Sequence, residues 1–471
     1  MADASWAPAL REYYRSAAVR ARIAEYCGGH PDRPSSFSCW RLGGYGGLRG
    51  LGEPDGGPTP CPNTDIERLF EEGADVCRSL ADLRGTLLQL DVDYVDPRDP
   101  GEPYRRPEVV LRRLAPVRLV LGEILAGHGI SPCVVLTGRG YHLTMRAPLG
   151  SPFQSSLAEI GEIGESMAAK LPRYGLEPEL AQRLARAHEG AGLVLQHIVH
   201  RALHLLRGQT EVETTLADLP PAGGEPFICL DLTAYADPLF ERSSRCAFSA
   251  NQKAGVQGAA VERPFVITLP CNGETIPQLL DLRENGFGAE AWAETARTAI
   301  PDVGDAPELL EEYRLGAVGR FQVEFHRGPK VAPAQWPFTY DRLTEEELPA
   351  CVRVPLDHPN PLLLRPACLR TVALGLWGLG WHPRSIASIV ASRFEQEHGW
   401  RPSFTRYDAQ SRAQFYVRTF CAALADGLDG AERFTCDTQR ARGLCEPTRC
   451  TEGERRRFAA ASAALPREGE Q

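Results

Sequence analysis

The sequence predicts an α+β domain followed by an all-α domain that carries a cluster of cysteines. Short apolar runs separated by helical patterns indicate the strands and helices of the first domain. Helical spacing of apolar residues dominates the last third of the chain, and three cysteines lie close together near its end. We therefore expect an N-terminal helix with a Gly- and Pro-rich loop, an α+β core, a helical connector, a helical cysteine-containing domain and a tail, at 1–80, 81–270, 271–345, 346–455 and 456–471.

Composition and charge exclude several classes of protein. The 471 residues carry 52 basic and 61 acidic side chains, a net charge of −9, which excludes a strongly basic nucleic-acid coat protein but not a local basic groove. No run of about 18 apolar residues occurs, so we expect no membrane-spanning helix and no membrane partner. Acidic residues and arginines stand where a secretory signal needs an apolar stretch, which predicts a cytoplasmic protein.

The first 80 residues are predicted to form a helix and a long loop. Apolar and aromatic residues recur at helical spacing over 9–26. Residues 28–62 are dense in Gly, Pro and Ser, which favours a surface loop over a phosphate cradle because no strand precedes them. The chain contains neither GxxxxGKS nor GxxxxGKT, which argues against a P-loop ATPase.

Three acidic residues follow two predicted strands. The apolar run 86–90 leads into Asp91 and Asp93, and alternate residues of a strand share one face of the sheet. The apolar run 226–232 contains the third acid, Asp231. Hard cations such as Mg²⁺ or Mn²⁺ prefer carboxylate oxygens, and three such groups can hold two metal ions for phosphoryl chemistry.

A glycine-rich turn follows another predicted strand, 132–136, which comes after a predicted helix at 117–126. Glycines permit close approach of the backbone, while Arg and His side chains donate charge-assisted hydrogen bonds to phosphate oxygens. The residues of this turn that predict phosphate binding are Thr137, Gly138, Arg139, Gly140 and His142. A plain β-turn that contains a core histidine is the alternative interpretation.

A polar segment downstream of Asp231 carries further cations and hydroxyls. Its candidate nucleotide-binding residues are Arg242, Arg245, Ser249 and Lys253. Lys253 stands out because the chain has only three lysines among its 52 basic residues, and an ammonium group acts as a compact point charge. A solvated loop is the alternative interpretation of this segment.

In order and spacing, these motifs resemble those of the archaeo-eukaryotic primase superfamily, in its bacterial primase-polymerase form. The matching segments are LLQLDVDYVD, TGRGYHL and ICLDLTAYADPLFERSSRCAFSANQKAG, and the resemblance covers about residues 10–265. It implies an RRM-like antiparallel sheet with flanking helices. It also implies synthesis of primers, or extension of strands, from NTP or dNTP on single-stranded DNA.

The resemblance also implies roles for individual residues. Asp91, Asp93 and Asp231 would hold Mg²⁺ or Mn²⁺, and Arg139 and His142 would contact the incoming triphosphate. The residues that would line the nucleotide or the template are Arg242, Arg245, Ser249 and Lys253. Some members have a serine where Gly140 stands, so Thr137 or a backbone amide would replace its phosphate contact.

Cysteines near the C-terminus predict a metal centre. Cys436, Cys445 and Cys450 are spaced C-x8-C-x4-C, and Cys351 precedes a helical stretch as the favoured fourth thiolate, with Cys368 and Cys421 as alternatives. This arrangement resembles the C-terminal iron–sulfur domain of the primase large subunit. Four thiolates could hold a [4Fe–4S] cluster or a structural Zn²⁺.

The sequence is also compatible with two other functions. The same three acids could serve a metal-dependent nuclease or phosphodiesterase, which would need no nucleotide and no contribution from Arg139 or His142. A non-catalytic subunit that binds nucleic acid through its cysteine-containing domain is the other alternative. The partner protein, a helicase or another replication or defence protein, is not specified by the sequence.

Overall fold

The structure is a computed structural model. It describes 12 parts of the chain: 7–29, 39–42, 59–61, 66–217, 219–221, 223–239, 242–254, 265–328, 348–395, 408–430, 434–445 and 450–465. The strands are β1 Cys39–Leu42, β2 Thr59–Cys61, β3 Asp75–Ser79, β4 Ala81–Asp82, β5 Gly85–Val95, β6 Cys133–Leu136, β7 Gly140–Pro148, β8 Glu213–Leu216, β9 Phe227–Asp231, β10 Ser243–Arg245, β11 Ala250–Asn251, β12 Val266–Ile267 and β13 Leu269–Pro270.

The helices fall into two groups along the chain. Those up to residue 327 are α1 Ala7–Tyr13, α2 Ala17–Tyr26, α3 Ile66–Glu72, α4 Glu102–Arg105, α5 Pro107–Gly127, α6 Pro152–Ile160, α7 Glu165–Lys170, α8 Pro178–Leu206, α9 Ile276–Glu284, α10 Gly286–Ala293, α11 Pro307–Leu315 and α12 Ala317–Arg327. Those from residue 350 onward are α13 Ala350–Asp357, α14 Pro359–Leu362, α15 Pro366–Gly378, α16 Pro383–Glu395, α17 Ala409–Ala425, α18 Cys436–Ala441 and α19 Glu452–Ala463.

A mixed sheet with the order β13-β6-β7-β5-β9-β8 forms the centre of the α+β part, and β4 pairs with the start of β5. Its strand pairs are antiparallel except for the parallel pair β8–β9. A second antiparallel sheet has the order β10-β3-β1-β2. The α+β class predicted from the sequence is confirmed.

The side chains of β5 point alternately into the core and away from it. Val92 and Tyr94 are fully buried, whereas Asp91 and Asp93, which alternate with them, are partly exposed. Helix α8 contacts β5 and also packs against α5, so the apolar side chains of these elements form one core. Burial of this face fixes the register, because a slip by one residue would turn the carboxylates into the core.

Several element boundaries differ from the sequence prediction. The predicted loop at 28–62 contains β1 and β2, which pair with each other, while 30–38, 43–58 and residue 62 lie outside the described residues. The strand predicted at 86–90 extends to Val95, because β7 and β9 pair with it on both sides. The helix predicted at 117–126 begins at Pro107 and continues through Pro116, since burial of apolar residues before Pro116 outweighs the missing backbone donor.

The C-terminal helices pack against the α+β part. Helix α17 contacts the short 3₁₀ helix Thr233–Ala236 that follows β9, and Arg412 of α17 lies 3.4 Å from Asp237. One cluster of buried apolar residues runs through both parts. Among the helices that the structure describes, none has the length and apolar character needed to cross a bilayer.

Folding stability is expected to fall at acidic pH because His188 is buried in its neutral form. The ring packs against Tyr235 with centroids 4.7 Å apart, and burial lowers the pKa of His188 from 6.5 to about 4. The unfolded chain binds this proton below about pH 6.5, so the stabilisation is complete above that pH and is lost between about pH 6.5 and 4.

The expected contribution of His188 is about 2 kcal/mol between pH 7 and pH 5. Urea unfolding at those two pH values should therefore show a smaller loss of stability in His188→Gln than in the unmodified chain. Equal losses in the two proteins would contradict the assignment.

Candidate catalytic site on the central strand

Three polar side chains form a row across three neighbouring strands. Asp91 of β5 stands directly opposite His142 of β7 and directly opposite Asp231 of β9. Directly opposed residues project from the same face of a sheet, and Asp93 shares that face because it is two residues further along β5. The structure thus brings all three predicted acids and the predicted histidine together.

Burial and mutual repulsion alter the acidity of these carboxyl groups. Burial, and then the charge of Asp91 and Asp93, raise the pKa of Asp231 to about 6. Burial and the nearby Asp91 also raise the pKa of Asp93. For Asp91 itself burial acts in the same direction, but His142 and the neighbouring cations outweigh it and lower the pKa. Such closely spaced acids favour an added positive charge.

His142 is held between a carboxylate and a hydroxyl. Its Nε2 lies 3.4 Å from Asp91 Oδ1, and its Nδ1 lies 3.3 Å from Ser244 Oγ. Burial lowers the tendency of His142 to take a proton, but Asp91 outweighs it and raises the pKa of His142. Sequence reasoning missed Ser244, whose only sequence signal is its position between Arg242 and Arg245.

The glycine-rich turn is closed by Thr137. Its Oγ1 accepts hydrogen bonds from the amides of Gly140 at 3.1 Å and Arg139 at 3.4 Å. Because Thr137 is 4% exposed and its hydroxyl serves this turn, the structure gives it a positioning role. The turn directs the Arg139 guanidinium to an ion pair with Asp93.

The glycines of this turn lie close to their neighbours. A Cβ at Gly140 would lie 1.7 Å from the carbonyl oxygen of Val92, which belongs to the neighbouring strand. A Cβ at Gly138 would instead meet two polar groups, Asn251 Nδ2 at 2.4 Å and the Tyr104 hydroxyl at 2.7 Å. Gly140 is therefore required by strand packing, and Gly138 by the side chains beside the turn.

Gly140→Ala is expected to lower the stability of the fold by about 1–3 kcal/mol, since β5 and β7 must separate to admit the methyl group. Gly122→Ala is the matched control because it lies in helix α5 with no atom within 4 Å of the added Cβ. The control should stabilise by about 0.5–1 kcal/mol. Thermal unfolding of both variants measures the difference, and an unchanged midpoint for Gly140→Ala would contradict the strand register.

The polar segment 242–253 contains residues that lie near the acids and residues that are held elsewhere. Lys253 is near them: burial, and then repulsion by Arg139, lower its pKa to about 8, while Asp93 acts in the opposite direction. Arg245 donates to Asp75 at 3.1 Å, and Arg242 forms an ion pair with Asp237. Both arginines are therefore anchored by buried carboxylates.

Ser249 does not line the site. It is fully buried, its Oγ accepts from the Val76 amide at 2.7 Å, and it donates to the Ala250 carbonyl at 3.0 Å. The prediction that Ser249 contacts a nucleotide conflicts with this position, because both hydrogen-bonding functions of its hydroxyl are used inside the protein.

A tyrosine that sequence reasoning missed lies beside the turn. Tyr104 is 6% exposed, and its hydroxyl has no hydrogen-bond partner within the described part of the chain. Arg283 lies over the Tyr104 ring at 5.8 Å and donates to the Gly138 carbonyl at 2.9 Å. No sequence signal identifies Tyr104 or Arg283, because both reach the turn from helices that are distant along the chain.

Carboxylate oxygens are suitable ligands for a hard cation, although these carboxylates do not surround a preformed metal site. Asp91 Oδ1 is buried and lies 3.4 Å from His142 Nε2, so a cation bound there would share this oxygen with His142. Asp93 is instead paired with Arg139. Across the described ranges, no group of three or more His, Cys, Asp or Glu residues has an arrangement that could hold a metal ion.

The C-terminal cysteines lie within electrostatic range of one another. Burial, followed by the nearby thiols of Cys450, Cys445 and Cys436, raises the pKa of Cys351. The other candidate thiols lack this influence: burial raises the pKa of Cys368 to about 11 with Arg365 as its charged neighbour, and burial alone raises the pKa of Cys421. The structure thus associates Cys351 with the three tail cysteines.

The four cysteines are carried by separate elements. Cys351 lies in α13, Cys436 begins α18, and Cys445 and Cys450 lie between α18 and α19. An ion pair of 3.2 Å between Arg353 and Glu454 connects α13 to α19. A cavity of about 130 Å³ is lined by residues that include Cys351, Cys368 and Cys445.

No protein-family model, no curated protein and no solved structure matches this chain.

Proposed function

We propose that this protein is a DNA-directed primase-polymerase, which makes primers or extends strands from NTP or dNTP on a single-stranded DNA template. The observation that carries the proposal is the row His142–Asp91–Asp231 across three neighbouring strands. The second carboxylate of β5, Asp93, lies beside this row and pairs with Arg139 from the glycine-rich turn. Acids and cations thus lie next to each other on one face of the sheet.

The proposed reaction is nucleotidyl transfer. The 3′-hydroxyl oxygen of a primer or first nucleotide forms a bond to the α-phosphorus of the incoming nucleotide. The bond from that phosphorus to the bridging oxygen breaks, pyrophosphate leaves, and the hydroxyl proton passes to solvent. Mg²⁺ or Mn²⁺ held by Asp91, Asp231 and Asp93 would stabilise the negative charge that develops on the phosphoryl oxygens.

The chain's own cations would orient the triphosphate. Arg139 can exchange its carboxylate partner Asp93 for phosphate oxygens. A guanidinium binds a carboxylate or a phosphate group with two hydrogen bonds. His142, with its pKa raised by Asp91, can donate a charge-assisted hydrogen bond when its Nδ1 exchanges Ser244 for a phosphate oxygen. Lys253 supplies a third cation on the same side. The acidic side chains would thus bind the metal ions, and the basic side chains would bind the substrate.

The cysteine-containing region would supply a metal-stabilised platform. We propose that Cys351, Cys436, Cys445 and Cys450 bind a [4Fe–4S] cluster or Zn²⁺ as thiolates. The influence of the three tail thiols on Cys351 supports this set. Metal ligation by residues from two helices and from the segment between α18 and α19 would fix the relative positions of these elements and thereby stabilise the fold.

Templated synthesis tests the proposal. The purified protein is incubated with Mg²⁺ or Mn²⁺, single-stranded DNA templates of different sequence, and separate pools of NTP and dNTP. We expect product whose composition is complementary to the template and whose formation stops when the metal is chelated. Shortening of the DNA without added nucleotide, and no synthesis, would instead favour a nuclease that uses the same acids.

A further inference from the structure

The segment that follows the third acid determines how that acid is oriented. Asp231 ends β9, and the 3₁₀ helix Thr233–Ala236 comes directly after it. The Thr233 amide donates to Asp231 Oδ1 at 2.7 Å, so the backbone of this short helix fixes the direction of one carboxylate oxygen. Contacts that hold the 3₁₀ helix therefore also hold Asp231.

On one side, the 3₁₀ helix is attached to the central strand β5. The Tyr235 hydroxyl donates to the Gln89 carbonyl at 3.1 Å and accepts from the Gln89 amide at 2.8 Å. These backbone groups lie beyond Asp91, where the pairing of β5 with β9 ends. The 3₁₀ helix is thus joined to the strand that carries the first two acids.

On the other side, helix α17 of the C-terminal region is attached to the residue that follows the 3₁₀ helix. Asp237 is 3% exposed and forms ion pairs with Arg242 and with Arg412 of α17, whose Nη1 lies 3.4 Å from Asp237 Oδ1. Arg242 also donates to the Thr233 carbonyl at 3.0 Å. A chain of contacts therefore runs from α17 through Asp237 and the 3₁₀ helix to the third acid.

A second side chain of α17 lies near the acids. Tyr416 is buried one turn after Arg412, whose guanidinium lies over the Tyr416 ring at 6.0 Å. Burial raises the pKa of Tyr416, Arg412 acts in the opposite direction, and the charges of Asp237 and Asp231 add to the rise. The hydroxyl of Tyr416 is therefore within electrostatic range of the third acid.

The burial of Asp237 makes its ion pairs important for the local structure. Loss of Arg412 would leave this buried carboxylate with one cation fewer. A buried charge that has lost a partner destabilises its surroundings unless it moves towards solvent or takes up a proton. Either response would change the segment that orients Asp231.

We propose that Arg412 is a positioning residue for Asp231, through which the C-terminal helices control the binding of Mg²⁺ or Mn²⁺ at the candidate catalytic site. This role rests on the proposed function, because it requires that Asp231 bind a divalent cation. Its sign is opposite to that of charge alone. The positive charge of Arg412 would by itself weaken the binding of a cation nearby, whereas its positioning of Asp231 strengthens that binding.

Titration of the full-length protein with Mn²⁺ tests this role, with free Mn²⁺ measured by its EPR signal. Binding at the catalytic site is the part that Asp91→Asn removes. Direct outer partners of metal ligands are worth about 10–100-fold in affinity, and Arg412 acts one step further away, so its Kd should rise at least about fivefold in Arg412→Met. Arg412→Lys keeps the positive charge, and its Kd should lie between those of Arg412→Met and the unmodified protein.

Arg418→Met is the matched control. Arg418 lies on the same helix and donates to Glu189 of α8 at 2.9 Å, so its loss also removes an ion pair between α17 and the α+β part. Its Mn²⁺ affinity should stay within about twofold of that of the unmodified protein. Thermal unfolding shows whether each variant is folded at the temperature of the titration.

Asp237→Asn tests the same connection without removing the arginine. It should also raise the Kd for Mn²⁺, and adding Arg412→Met to it should have no further effect, because Arg412 acts through Asp237. This variant keeps the test decisive if Arg412→Met does not fold.

The outcomes separate this role from the proposed reaction. An unchanged or lower Kd in Arg412→Met, or an equal rise in Arg418→Met, would overturn the role and leave templated synthesis unaffected. A higher Kd in Arg412→Met, in a protein that makes no templated product, would support the role and refute the primase-polymerase. Absence of any Mn²⁺ binding that depends on Asp91 would overturn both.

Discussion

Asp91→Asn should reduce templated nucleotide incorporation by about 10³-fold or more while the protein remains folded. Asp91 stands at the centre of the row, directly opposite both His142 and Asp231. The change to Asn removes one negative charge without changing the size of the side chain, and metal-mediated charge stabilisation is worth several kcal/mol. Asp231→Asn should have an effect of similar size, because it removes the acid on the neighbouring strand.

Asp96→Asn is the matched control for both variants. Asp96 follows the same strand, and its Oδ1 accepts hydrogen bonds from the amides of Arg98 and Asp99, which an Asn oxygen can also accept. We expect its activity to stay within about twofold of the unmodified protein, because surface changes of this kind perturb little. Equal activity of Asp91→Asn and Asp96→Asn would contradict the catalytic assignment of the row.

Cys351→Ser should lower the metal content of the protein at least about tenfold and reduce its thermal stability. Cys351 is the thiol whose acidity the three tail cysteines affect, and a serine hydroxyl is a much poorer ligand for iron or zinc. Elemental analysis of anaerobically purified protein measures iron and zinc together. The visible absorption spectrum then distinguishes an iron–sulfur cluster from Zn²⁺, which is colourless.

Cys368→Ser is the control for the cysteine centre. Cys368 is 1% exposed and lines the same cavity as Cys351, but its charged neighbour is Arg365. The metal content of the Cys368→Ser variant should equal that of the unmodified protein. Loss of metal from Cys368→Ser with retention in Cys351→Ser would exchange the two assignments, and the absence of iron and zinc from the unmodified protein would refute the centre.

Strands that carry continuous apolar runs could be located from the sequence. The run predicted at 226–232 is strand Phe227–Asp231, and the run at 132–136 is strand Cys133–Leu136. Such runs are visible because buried strands need apolar side chains on both faces. Strands β1 and β2 were missed because they lie within a Gly- and Pro-rich segment, whose composition is typical of loops.

The proximity of the three acids could be anticipated, but their individual partners could not. The order of the motifs places Asp91, Asp93 and Asp231 on strands, and only the register shows that Asp91 is the residue opposite both His142 and Asp231. The ion pair of Asp93 with Arg139 depends on how the turn directs one side chain. The position of Ser249 could not be predicted from composition. A hydroxyl near cations suggested phosphate binding, but this hydroxyl forms hydrogen bonds with backbone groups inside the protein.

Anomalous diffraction from crystals grown with Mn²⁺, a template and a non-hydrolysable nucleoside triphosphate would test the central claim most directly. We expect manganese peaks at the carboxylates of Asp91 and Asp231, with the triphosphate against Arg139 and His142. Manganese at other residues, or a triphosphate bound away from the glycine-rich turn, would contradict the assignment of this face of the sheet to nucleotidyl transfer.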